Sequence, residues 1–186
     1  DGYTPDEARD IMQAGLDVAA EYVADGPALA AKSGRPHYEV DDTVWDASND
    51  VMCHAFELAA DGDFAVQLHT EGGEEFEQVA RWAEDRGMNR RQVVKHYSSG
   101  RLQGPTKSVL ADKDELELAI EEDEPFLMET DYIDDPERPG VVLGPKTVPR
   151  RVRWLLQEGE TEAVRTAHVE TPEAVYGIDT EATLTR

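Results

Sequence analysis

Four residues able to hold a metal ion or move a proton stand at the ends of separate apolar runs. Lys32 follows Ala28 to Ala31, His69 follows Phe64-Ala65-Val66-Gln67-Leu68, His96 closes Gln92-Val93-Val94-Lys95-His96, and Asp131 closes the run from Pro125 through Glu129-Thr130. Two neutral imidazoles and a carboxylate suit a divalent cation; zinc takes nitrogen at about 2.0 to 2.1 Å and keeps one position open for water. Such an ion lowers the pKa of that water towards about 7, which arms it against an ester, amide or phosphate. A single strand-end His is more often hydrogen-bonded in a turn, but two of them joined by a strand-end Asp shift the balance towards a site.

Residues so far apart meet only if the elements carrying them end on one side of the fold. Ala8, Ile11, Met12, Leu16, Ala19, Ala20 and Val23 recur at helical spacing between Thr4 and Ala24, with Thr4 as N-cap and Pro5 in the first turn. Gly26-Pro27 breaks that helix, and Ala28 to Ala31 reads as a buried strand emptying into Lys32-Ser33-Gly34-Arg35-Pro36-His37-Tyr38. Helices are predicted over Val44 to Ala60, Glu74 to Arg86, Asp112 to Glu121, Val148 to Gln157 and Thr161 to Tyr176, the last interrupted by Pro172. Strands are predicted over Phe64 to His69, Gln92 to His96, weakly over Ser108 to Leu110, and strongly over Pro125 to Asp131. The alternation predicts an α/β fold, βα units around a parallel sheet covered on both faces, in one domain over residues 1–186. In such a sheet, or in a barrel, all strand carboxyl ends lie on one face.

Across 186 residues, 41 Asp and Glu oppose 18 Lys and Arg, for a formal charge of -23. With 39% hydrophobic residues the chain still supplies a core, so it is not a disordered tail. The acidity argues against a basic groove for nucleic acid. No run approaches the ~20 apolar residues that cross a bilayer, and the single Cys53 excludes an internal disulfide framework, so a soluble, cytoplasmic protein without a membrane partner is expected. The acidic residues are spread over nearly every polar segment, as on proteins adapted to molar salt, where a Debye length of about 3 Å removes most of the self-repulsion. An acidic protein of ordinary cytosol is the alternative.

Thr70 after His69, Val94-Lys95-His96-Tyr97-Ser98 and Leu127-Met128-Glu129-Thr130-Asp131-Tyr132 resemble the later strands of the TatD-related metal-dependent hydrolases of the amidohydrolase superfamily. Gly34-Arg35-Pro36-His37-Tyr38 is similar to an archaeal branch of that group. The resemblance covers nearly the whole chain and implies a TIM-barrel (β/α)8 fold, of which this chain takes roughly the last five βα units, the C-terminal portion. It implies that His69, His96 and Asp131 are metal ligands for zinc, manganese or magnesium. The activity it implies is hydrolysis of a phosphoester or related ester, DNase-like in some members, on a small-molecule or nucleic-acid substrate.

Two departures qualify this expectation. The family opens on His-x-His, which occurs nowhere in this sequence, and five strands fall short of the eight of a barrel of about 250 residues, so the first three βα units are expected to be missing and the metal site incomplete. Open sheet edges then need covering by another chain, which a homo-oligomer would supply. Lys32 stands where the wider family carries Glu. Carboxylated by carbon dioxide, it would be an anionic ligand as in phosphotriesterase- and dihydroorotase-like relatives, giving a lactonase-like or cyclic-amide-hydrolase-like enzyme. Paired instead with Asp131 or Glu71, it would mark a non-catalytic remnant or binding module.

Asp131 is also a candidate general base, since a carboxylate beside an activated water can accept its proton. Arg35, His37, Tyr97 and Arg101 fall on loops just past the proposed ligands, where they would bind a phosphate or carboxylate group; solvated loop residues are the equal alternative. His54 and His168 read as packing or surface residues within helices, Cys53 as a buried thiol, and Asp134, Asp135 and Glu137 as a solvated acidic loop.

Overall fold

A computed structural model describes residues 2–135, 137 and 142–181. Helix α1 (Pro5–Ala24) opens on a capping box: Glu7 N–H donates to Thr4 Oγ1, Thr4 N–H donates to Glu7 Oε2 at 2.8 Å, and Pro5 supplies its fixed φ. Strand β1 (Ala30–Gly34) leads to α2 (Asp42–Gly62), capped by Asp41. Then follow β2 (Ala65–His69), α3 (Glu77–Glu84), a 3-10 turn (Arg90–Gln92), β3 (Val93–Ser98), β4 (Thr106–Leu110), α4 (Lys113–Glu121) and β5 (Phe126–Glu129). The chain continues through α5 (Thr147–Glu158), α6 (Thr161–Arg165), a π-helical turn (Thr166–Glu170) and α7 (Thr171–Tyr176).

The sheet has five strands in chain order, every neighbouring pair parallel, with a bulge in the β3–β4 pairing between Lys95 and Ser98. Side chains alternate between its faces. Ala31, Val66, Leu68 and Val93 pack outward against Met52 and Phe56 of α2 and Val79 of α3. Ala65, Val94 and Leu127 point the other way and meet Val175 of α7. On β2 this inner face reads upward as Ala65 on α7, Gln67 donating to the Tyr176 hydroxyl at 3.0 Å, and then His69 beyond that contact. Burial on both faces is why the inner strands are apolar runs, each full Val, Leu or Phe burial contributing roughly 1.5 to 3 kcal/mol.

Several element boundaries differ from expectation; β3 runs past His96 to Ser98 and α3 begins only at Glu77. β1 runs past Lys32 to Gly34, β4 begins at Thr106, β5 stops at Glu129, and the last helix divides. The division has a local cause: Pro172 has no N–H to donate and crowds the preceding turn, so a π-helical turn precedes it and Pro172 enters the first turn of α7.

Among the described residues no helix is long and apolar enough to cross a membrane. Arg9, Arg81 and Arg165 pair with carboxylates on the surface, where such pairs contribute little singly. With 41 acidic against 18 basic residues, unpaired carboxylates dominate that surface. The melting temperature is therefore expected to rise between dilute and molar potassium chloride as screening sets in. A thermal-denaturation series at fixed pH checks this; a flat or falling series removes the salt-adapted reading.

Candidate functional site

His69 ends β2 and His96 lies near the end of β3, and the parallel register Leu68 to Lys95 sets them side by side. Their rings stack with centroids 5.6 Å apart and planes 29° from parallel. His37 joins them from the loop after β1. Gly34, at φ 150°, lies so close to the end of β2 that a Cβ there would stand 1.8 Å from the His69 carbonyl oxygen, and Arg35 N–H donates to that oxygen at 3.0 Å. The loop so held places His37 Nδ1 3.1 Å from His69 Nε2.

On the other side, His96 is held at both ring nitrogens. Its Nδ1 is 2.8 Å from Glu129 Oε1 and its Nε2 is 3.4 Å from Asp131 Oδ1. Glu129 also accepts from Tyr97 N–H at 2.8 Å and from the Ser108 hydroxyl. Tyr97 (φ 52°) and Asp131 (φ 47°) are both left-handed. Asp tolerates this conformation, whereas a bulky Tyr does so at a cost of order 1 to 3 kcal/mol, here opposed by the Glu129 bond.

His37, His69, Thr70, Lys95, His96, Tyr97 and Asp131 are among the residues lining one cleft of about 340 Å³ at the carboxyl ends of the strands. Burial, then the positive fields of His96, His37, Lys32 and Lys95, push the His69 pKa down, which favours the neutral ring with a free lone pair. For Glu129, burial raises the carboxyl pKa, but the hydrogen bonds from His96, Ser108 and Tyr97 outweigh it and hold the group below its ordinary value.

Among the described residues no three His, Cys, Asp or Glu side chains stand close enough together to hold a metal ion. The donors come as two pairs, His37 with His69 at 3.1 Å and His96 with Asp131 at 3.4 Å. The His37–His69 contact is a ring-nitrogen hydrogen bond and the His96–Asp131 contact an ion-pair distance, so what fits a divalent cation is the chemistry of the donors, imidazole and carboxylate, gathered at one cleft.

The structure brings together His37, His69, His96, Tyr97 and Asp131. Three other expected residues stand apart from the cleft lining. Lys32 is an exposed mid-strand residue paired in register with Gln67, one step below the level of His69. Arg35, 10% exposed, is committed to Glu71 through Nε at 2.8 Å and through Nη2, to Asn49 at 3.0 Å, and to the Trp45 ring at 4.4 Å. Arg101 is exposed, 3.9 Å from Glu122. His54 ties α2 to Asp17 of α1 at 2.7 Å, and His168 is partly buried with its pKa pushed down by burial. Burial pushes the Cys53 thiol up, as suits an inert packing residue. Asp134, Asp135 and Glu137 do not line the cleft.

Two participants were not singled out by sequence, Glu129 and Lys95. For Glu129 a signal existed: two residues from Asp131, it shares a face of an extended strand with it. Lys95 carried none, since strand alternation puts it on the face opposite His96.

Residues 2–177 match the family described as TatD related DNase. The uncharacterized protein MJ1127 of Methanocaldococcus jannaschii is 41% identical over 157 residues, which make up 80% of this chain and 56% of that protein. A solved structure from "Molecular Engineering of Organophosphate Hydrolysis Activity from a Weak Promiscuous Lactonase Template" superposes with a TM-score of 0.57 at 14% identity, over 80% of this chain and 56% of the other. That likeness is one of fold, an α/β fold whose parallel five-strand sheet is consistent with part of a (β/α)8 barrel. The chain spans about half the length of both proteins. On the match across residues 2–177, the chain belongs to the TatD-related DNase family.

Proposed function

We propose that this chain belongs to a metal-dependent hydrolase acting on phosphoesters, of nucleic acid or of small molecules. The observation supporting this most is the convergence of His37, His69, His96 and Asp131 on one cleft, with His37 and His69 3.1 Å apart and His96 and Asp131 3.4 Å apart. His69, His96 and Asp131, with His37 beside them, are the residues that would hold zinc, manganese or magnesium. When bound, the cation polarises a phosphoryl oxygen and lowers the pKa of water. Glu129 fixes the His96 ring through Nδ1, leaving Nε2 turned to the cleft and Asp131. Asp131 is the group placed to take a proton, its carboxylate at the cleft wall. Tyr97, half exposed at the rim, offers a ring to a base or other apolar part of the substrate.

A second reading keeps the cleft and changes one ligand: Lys32, on the same sheet face as Gln67 and His69, enters as a carboxylated lysine. Intact mass under bicarbonate separates the two, since only the second adds carbon dioxide to the chain.

The main test is metal analysis after loading with each ion and dialysis, together with hydrolysis of a chromogenic phosphodiester. Stoichiometric metal is expected, and His69→Ala, His96→Ala and Asp131→Ala are each expected to weaken metal binding and hydrolysis by about a hundredfold or more. A chain that retains no metal, or whose three variants retain it unchanged, overturns the reading in favour of a binding module.

A further inference from the structure

We propose that Lys95 forms an anion-binding subsite of the cleft, its ammonium receiving a phosphate-type oxyanion next to the His69–His96 pair. The inference rests on the phosphoester reading of the cleft and names the residue that would recognise the substrate's charge.

Among the described residues two lysines are 2% exposed, Lys95 and Lys107, adjacent in register on β3 and β4. Their ammonium groups are treated very differently. Lys107 Nζ donates to the Gly100 carbonyl at 2.9 Å and lies 3.2 Å from Glu124 Oε2, so its charge is answered within the fold. Lys95 Nζ has one hydrogen bond among the described residues, a long one of 3.4 Å to the His96 carbonyl, and no carboxylate within ion-pair distance. Its remaining neighbour is the face of the Phe76 ring, 4.9 Å from centroid to nitrogen. An ammonium carries three donors, and a buried cation left without an anion is costly. The π-face offsets part of that cost.

Lys95 lines the cleft together with His69, His96 and Asp131. The bulge that begins at Lys95 breaks the regular β3–β4 register at that level of the strand. Burial pushes the Lys95 pKa down; Glu71 and Glu129 oppose this only through their fields, with no direct bond to the ammonium, so an anion in the cleft would be the partner that favours its charge. A buried, under-bonded lysine at the wall of a cleft that also carries three imidazoles, the Thr70 and Tyr97 hydroxyls and one carboxylate is the feature an oxyanion requires. Lys107 lacks that opportunity, being bonded already and away from the cleft lining.

The probe is inorganic phosphate, titrated calorimetrically into the full metal-free chain at constant high potassium chloride. Saturable binding is expected for the wild type, weakened about tenfold or more in Lys95→Met, which keeps the side chain's length, and unchanged in Lys107→Met. In the unmutated protein carrying 15N-lysine, phosphate is expected to shift the Nζ resonance of Lys95 and leave that of Lys107, which decides the matter even if a variant fails to fold. No phosphate binding by the metal-free wild type, equal binding by Lys95→Met, or an unmoved Lys95 signal overturns the proposal. Because metal is absent throughout, phosphate binding that persists while the metal-loaded chain hydrolyses nothing would retain the subsite and remove the hydrolase reading. Hydrolysis with no Lys95-dependent binding would do the reverse.

Discussion

Gly34→Ala is expected to cost at least about 4 kcal/mol, among the largest effects that a single methyl group can have. The added Cβ would stand 1.8 Å from the His69 carbonyl oxygen, 2.7 Å from its carbonyl carbon and 2.9 Å from its nitrogen. All three are backbone atoms of a strand paired on both sides, so no side chain can swing away to make room. The φ of 150° adds its own strain for any residue with a Cβ. For a domain of this size such a loss lowers the melting temperature by roughly 8 to 16 °C. The damage is also local: relieving the clash separates β1 from the end of β2, breaks the Arg35 N–H bond to His69, and moves His37 off its 3.1 Å approach. Thermal melting measures the first effect and the metal content of the folded fraction the second. A Gly34→Ala protein with wild-type melting and metal content contradicts the packing described here.

Glu129→Ala is expected to be the next most damaging change. One carboxylate serves His96 Nδ1 at 2.8 Å, the Tyr97 N–H at 2.8 Å and the Ser108 hydroxyl, and with 18% of its side chain exposed it has little water to replace it. Each buried donor left without an acceptor costs about 1 to 3 kcal/mol, and partial access of water to the vacated space brings the total to about 2 to 4 kcal/mol. Losing the partner that orients a ligating imidazole typically weakens metal affinity 10- to 100-fold. Glu129→Gln keeps the shape and one acceptor but turns an NH2 group towards a donor, so it belongs between wild type and Ala on both scales. Urea unfolding and metal titration of the three proteins check the order. Equal midpoints for wild type and Glu129→Ala would show that the carboxylate anchors nothing.

The parts of the site legible in sequence are those marked by polarity at the end of a buried run. His69, His96 and Asp131 stood out because the residues before them face cores on both sides of the sheet, and a polar group there needs a reason. The same rule misplaced the end of β1. As a strand that among the described residues pairs with β2 alone, it has positions open to solvent, so exposed Lys32 lies within the strand and marks no boundary. Arg35 looked available because its acceptor, Glu71, is 36 residues away and meets it only through the β1–β2 pairing. Glu129 reaches His96 from β5 across β4, which is possible because Ser108, the β4 residue between them, is small and itself donates to the carboxylate. No local pattern encodes a contact that skips a strand. Lys95 stayed hidden for a similar reason, since its burial depends on the Phe76 ring and the irregular pairing of β3 with β4.

The floor beneath the histidines comes from a segment far along the chain, because Val175 and Tyr176 of α7 cover the inner face of β2, β3 and β5, and Tyr176 bonds Gln67 of β2 across a separation of 109 residues. During translation the growing polypeptide therefore carries Ala65, Val94 and Leu127 with no partner until α7 clears the ribosome. Folding of this sheet in the cell thus waits on α7, and the interval before α7 emerges is when a chaperone has most to shield.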